Sequence, residues 1–103
     1  MYKPTEAMAL AARKGLKMRE AAQPSNRGGT AIGLAKANQF ANREYVSLDI
    51  VKRTYSFLKR AEVYYLSGEN SPGTQAFLLW GGYAALAWSE KILEKIKEQE
   101  DAA

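Results

Sequence analysis

Apolar residues in this chain recur at spacings of three and four, and no alternating stretch is long enough to argue for a sheet. The pattern predicts an all-α protein in about five pieces. A first helix is expected after Pro4, which suits a first helical turn, with Glu6 near its positive end. Met8, Ala11, Ala12, Gly15 and Leu16 share one face of it, while Arg13, Lys14 and Lys17 point away. Gln23-Pro24-Ser25-Asn26 ends this helix, and Arg27-Gly28-Gly29 continues the loop. Thr30 is placed to cap a short second helix from Ala31 to about Asn42. Ile32, Ala35 and Gln39 line one side of that helix, with Leu34, Ala37 and Phe40 beside them.

After a connection at residues 42–46, Ser47 is the clearest cap in the chain, with Asp49 just inside the helix it opens. The third helix is expected from Leu48 to about Leu66. Leu48, Val51, Tyr55 and Leu58 form one stripe and Ile50, Thr54, Phe57 and Ala61 an adjoining one. Together they cover about half the circumference, which marks this helix as central to the core. Residues 67–73, Ser-Gly-Glu-Asn-Ser-Pro-Gly, are the strongest loop signal. Thr74 to Trp80, a Gly81-Gly82 break and a last helix from about Tyr83 complete the chain. The last helix should bury Ala85, Trp88, Ile92 and Ile96. Its other face carries Glu90, Lys91, Glu94, Lys97 and Glu98, and its acidic end at residues 97–103 is expected to fray. The sum is a single compact domain over residues 1–103, a bundle of about four to five helices.

Composition removes much chemistry. With 103 residues and 47% hydrophobic content, the chain has enough to build one core. It has no Cys and no His, so it offers no thiol nucleophile, no disulfide, no Cys/His zinc site and no imidazole base. No carboxylate pair outside the last helix suggests acid–base or metal work, so neither an enzyme nor a cofactor is expected. The longest apolar run, Ala76 to Trp88, is too short to span a bilayer, and Met1-Tyr2-Lys3-Pro4 does not open a secretory leader. The expectation is a soluble intracellular protein with no membrane partner.

Charge changes the picture more than composition does. Residues 1–60 hold twelve Lys/Arg against four acids, and residues 61–103 hold three Lys against seven acids. A basic body with an acidic tail points to a polyanionic partner, nucleic acid above all. Lys52, Arg53, Lys59 and Arg60 fall within an arc of about 120° on the third helix, opposite its apolar half, with Ser56 between them. Like charges so placed repel one another unless an anion lies against them, and a duplex offers phosphates at that scale. The bland alternative is an ordinary solvated face. Residues 30–60 also read as a helix-turn-helix, although the connection is longer than the usual three or four residues. Arg27, Lys36 and Arg43 are candidate supporting phosphate contacts.

Other features have a structural reading beside the functional one. Arg27-Gly28-Gly29-Thr30 opens a helix and lacks P-loop spacing, so a helix-starting turn is favoured over a phosphate site. Arg19 lies on the apolar side of the first helix, where it either pairs with a buried acid such as Glu62 or reaches out along its stem; the ion pair is the favoured expectation. Leu78-Leu79-Trp80-Gly81-Gly82 and Trp88 read as core before they read as a base-stacking platform, leaving Tyr45, Tyr64 and Tyr65 as exposed aromatics.

Taken in order, Gly15-Leu16…Arg19, Arg27-Gly28-Gly29-Thr30…Gly33, Ser47…Val51-Lys52-Arg53…Ser56-Phe57…Arg60…Glu62-Val63, Ser71-Pro72-Gly73, Leu78-Leu79-Trp80-Gly81-Gly82, Ala85 and Trp88 form a series. It resembles a small domain encoded by tailed bacteriophages, found alone or fused to larger phage proteins, over roughly residues 11–92. The resemblance implies a phage protein acting in the host cytoplasm or the virion, and it supplies no catalytic residue. The chain departs from that pattern at Ala61, where members often carry His, and at Lys36, where Arg is common; the stretch before the Trp-Gly-Gly motif is also short. The leading expectation is therefore a small phage DNA-binding protein. The alternative is a virion component or a factor docking on a phage or host protein, with the Leu86–Ile96 segment available as a homodimer seam.

Overall fold

The structure, a computed structural model, describes residues 1–66 and 68–102. Five α-helices form: α1 (Glu6–Ala21), α2 (Ala31–Ala41), α3 (Leu48–Ala61), α4 (Pro72–Leu79) and α5 (Gly82–Ala102), with single 3₁₀ turns at Pro24–Asn26 and Glu62–Tyr64. The all-α bundle expected from the periodicity is the observed architecture. The helices start where short polar side chains can take up the unpaired N–H groups of a first turn. Thr5 Oγ1 accepts from Met8 N at 3.2 Å, Thr30 Oγ1 from Gly33 N at 3.1 Å, Ser47 Oγ from Ile50 N at 3.4 Å and Ser71 Oγ from Thr74 N at 3.2 Å. Pro4 stands just before the first cap instead of inside the helix, and Pro72 occupies the first turn of α4, two residues earlier than expected.

α1 packs on α2 and α4, and α3 lies along α5. Met8, Phe40, Val51, Leu58, Phe77 and Leu79 are fully buried between them. Burying side chains of this size contributes roughly 1.5–3 kcal/mol each. The buried stripe of α2 is Gly33, Ala37, Phe40 and Ala41, so Ile32 and Ala35 are exposed, contrary to the face expected from spacing. An antiparallel bridge between Tyr2 and Val46, with both N–H···O bonds at 2.8 Å, ties the N-terminus to the α2–α3 connection. α2 and α3 are consecutive but separated by residues 42–47; α2 packs mainly on α1 and α3 mainly on α5, α4 touches both, and contact between α2 and α3 themselves is slight. The helices of a helix-turn-helix pack on one another, so this pair departs from that arrangement.

A buried polar knot joins the loops on one side of the bundle. The Gln75 side chain, fully buried on α4, accepts from Gly28 N at 2.7 Å and donates to Asn26 O at 3.2 Å and Asn70 Oδ1 at 2.7 Å. Asn70 Nδ2 in turn donates to Met18 O at 2.9 Å. Gly28 sits so close to α4 that a Cβ there would stand 2.1 Å from Pro72 O, a position no other residue could take. Arg19 Nε donates to Gly28 O at 2.9 Å. The ion pair with Glu62 expected for Arg19 is absent, because Glu62 faces Lys59 at 3.5 Å instead.

One further expectation is corrected. α3 ends at Ala61, five residues before the expected Leu66. Beyond the Glu62–Tyr64 turn the chain leaves the helix axis, because Tyr65 stacks on Phe77 at 4.7 Å and Thr74 Oγ1 bonds both Leu66 N and Leu66 O at 3.1 Å. The acidic end of α5 is drawn as helix to Ala102. α5 runs beyond its packing partner, which is why Trp88, Ile92 and Ile96 are only partly covered while Ala85 is buried. Ser67, part of the loop expected at residues 67–73, and Ala103 lie outside the described residues. A tight turn at Gly81 and Gly82, both at positive φ (95° and 61°), sets α5 off from α4 as the glycine pair implied.

Gln75→Leu should lower stability by roughly 2–4 kcal/mol in urea denaturation, because it strands the buried Gly28 N–H and loosens three loop contacts. Ser47→Ala, which removes a cap alone, should cost about 1 kcal/mol.

Candidate nucleic-acid interface

The apolar half of α3 anchors its polar half. Val51, Thr54 and Leu58 are buried, and the Thr54 hydroxyl is satisfied by Ile50 O at 2.7 Å, so the opposite face must point outward. Lys52, Arg53, Ser56, Lys59 and Arg60 are all exposed there. Lys59 is engaged by Glu62. Among the described residues, Lys52, Arg53 and Arg60 have no carboxylate within 4.0 Å.

These three cations border an open groove of about 510 Å³. One wall is α3, with Lys52, Arg53, Ser56 and Arg60 and a single acid, Asp49. The other is the start of α2, Thr30 and the exposed Ile32. Phe57 and Trp80 complete the lining, their rings stacked at 5.1 Å. Trp80 is 7% exposed. Its indole Nε1 makes no hydrogen bond among the described residues and lies against the first turn of α2, 3.2 Å from where a Cβ on Gly33 would stand. The groove thus has an apolar floor with one unpaired N–H at its edge and a cationic wall. Such a surface suits an anion bearing some apolar area.

The remaining candidates are placed elsewhere. Arg27 donates through Nε to Ala22 O and through Nη2 to Glu20 O, both at 3.1 Å, closing the end of α1. Arg43, at φ 51°, donates through Nε to Pro4 O at 2.9 Å and faces Glu6 at 3.7 Å. Lys36 donates to Gln39 Oε1 at 3.0 Å along α2. The structure therefore brings Lys52, Arg53, Ser56 and Arg60 together and leaves Arg27, Lys36 and Arg43 outside the groove. It adds Thr30, Ile32 and Trp80, which spacing alone assigned to caps and core. A large apolar residue two positions after an N-cap, unmatched by a buried stripe, was the available signal for Ile32.

Of the expected aromatics, Tyr45 and Tyr64 are exposed, Tyr45 beneath Lys3 Nζ at 5.6 Å, whereas Tyr65 is held against Phe77. Trp88 Nε1 donates to Lys3 O at 3.1 Å. Among the described residues no helix is long and apolar enough to cross a membrane, and no cluster of three acidic side chains could hold a metal. Comparison with protein-family models, curated proteins and solved structures finds no match.

The division between structural and outward-facing cations has a measurable consequence. Arg43→Ala should reduce stability by about 1–2 kcal/mol in thermal or urea unfolding, through the lost bond to Pro4 O. Arg53→Ala should change stability by less than about 0.5 kcal/mol.

Proposed function

We propose that this chain is a phage-encoded nucleic-acid-binding protein, acting on DNA in the host cytoplasm or the virion, that holds its target mainly by phosphate contacts from α3. One observation carries the reading: three exposed cations without carboxylate partners border one open groove. Like charges at this density cost a few tenths of a kcal/mol per pair, and a bound polyanion removes that cost. Lys52, Arg53 and Arg60 are the principal contacts, with Ser56 as a neutral hydrogen-bonding group between them and Lys59 at the margin. Because α2 and α3 do not pack as a helix-turn-helix, α3 works as an exposed basic helix and not as the second helix of that motif.

A second reading has its own observation. Val63, Tyr64 and Leu66 are all more than half exposed, and Tyr64 borders a mainly apolar hollow of about 300 Å³ lined also by Phe57, Arg60, Ala61, Gly73 and Ala76. A cluster of this kind suits a protein partner, such as a virion component or a host factor.

Fluorescence anisotropy with labelled duplex and single-stranded oligonucleotides, titrated over salt, separates the two. The nucleic-acid reading expects a log–log salt slope of roughly −2 to −4, from one counterion per phosphate contact. Lys52→Glu with Arg53→Glu should abolish binding while helical circular dichroism is unchanged. Unaltered affinity in that double variant would sink the assignment. Co-purification with a capsid or host protein at a 260/280 nm ratio free of nucleic acid would favour the second reading.

A further inference from the structure

We infer that the groove between the start of α2 and the outer face of α3 is a seat for one phosphate group. The inference rests on the nucleic-acid reading of α3 and specifies what a single phosphate meets there. Three independent donors converge on the groove. The first is the N-terminus of α2, an eleven-residue helix whose Ala31 and Ile32 N–H groups make no hydrogen bond among the described residues. Those N–H groups and the helix dipole favour an anion. The second is Trp80 Nε1, on a side chain 7% exposed; the N–H has no acceptor among the described residues, reaches solvent and lies close to the same first turn.

The third is the cationic wall of Lys52, Arg53 and Arg60.

The Trp80 indole is the observation that separates a seat from a merely basic surface. The Trp80 N–H has no acceptor among the described residues and keeps contact with solvent at the groove, so an acceptor oxygen bound there would take the place of water on it. Indole donates and never accepts, so its complement is an oxygen acceptor. Trp88 provides the contrast within the same chain: its Nε1 is occupied by Lys3 O. The Thr30 hydroxyl, whose oxygen is used by Gly33 N, keeps its proton for an acceptor in the groove. Asp49 is the one group in the lining that opposes an anion, and the three cations outnumber it. A phosphoryl group, with several acceptor oxygens and at least one charge, answers every donor in this set. It can come from a nucleic-acid strand or from free phosphate, and the test distinguishes them.

The experiment is ¹H–¹⁵N correlation NMR of the full chain, with the two indole resonances assigned through Trp88→Phe. Inorganic phosphate and a short single-stranded oligonucleotide are titrated separately. The expected result is a saturable shift of the Trp80 indole and of the Ala31 and Ile32 amides, with the Trp88 indole unmoved. Arg53→Gln, a surface change that leaves the fold intact, should weaken the response about tenfold. A shift with the oligonucleotide alone assigns the seat to strand phosphate. A shift with inorganic phosphate and no oligonucleotide binding supports the seat and overturns the nucleic-acid reading. If the oligonucleotide binds and moves α3 resonances while Trp80, Ala31 and Ile32 stay still, the seat is wrong and the nucleic-acid reading stands. No movement with either ligand overturns both.

Discussion

The side-chain amide of Gln75 is the contact on which the arrangement of this molecule turns. It is fully buried, and its bonds to Gly28 N, Asn26 O and Asn70 Oδ1 join α4 to the two loops that flank it. A buried amide is tolerated only when its donors and acceptor are matched, so the loops must arrive in one register or the site is penalised. Gly28 completes the constraint by resting against Pro72 with no room for a side chain. Residues 28–30 are thereby set, and with them the point at which Thr30 opens α2. One wall of the groove is thus placed by a polar contact on α4, the helix whose C-terminal neighbour Trp80 supplies the floor.

The cations of the basic half serve two different purposes. Arg13, Arg19, Arg27 and Arg43 each donate to a backbone carbonyl at a helix end or in a loop, where a planar guanidinium reaches across elements and satisfies groups that the fold leaves open. Lys52 and Arg53 sit mid-helix and Arg60 in the last turn of α3, and among the described residues none of the three has a carboxylate within 4.0 Å. The net charge of residues 1–60 therefore overstates the surface available to a polyanion, and the available part is concentrated on one helix face. Clustering of unpaired cations lowers stability slightly. The aromatic contacts among the buried Phe77, the partly covered Tyr65 and the exposed Tyr83, each worth about 0.5–1.5 kcal/mol beyond area, offset it.

Much of this was legible in the sequence. The caps at Thr30 and Ser47, the amphipathic character of α3 and the break at Gly81-Gly82 are local properties, set by residues within one turn of where they act. What escaped depends on contacts across long sequence separations. α3 stops at Ala61 because Thr74 captures Leu66, and no propensity near residue 62 reports that. Arg19 lies on the apolar side of α1 as its spacing indicated, but its partner is a carbonyl at Gly28, since a backbone acceptor nearby in space costs less to reach than a desolvated carboxylate. The exposed side of α2 was misjudged because Gly and Ala, which carry little hydropathy signal, form its buried stripe.

The burial of Trp80 also constrains how the groove can discriminate among strands. Stacking a base requires a free ring face, and Trp80, stacked on Phe57 and nearly enclosed, has none. What it presents is an edge with one donor. The other groups lining the groove are cations, hydroxyls, the Ile32 side chain and one carboxylate, and guanidinium and ammonium groups meet phosphate oxygens without regard to the base attached. On the proposed nucleic-acid reading, discrimination by this surface falls on backbone geometry and phosphate spacing, with base identity a minor contribution.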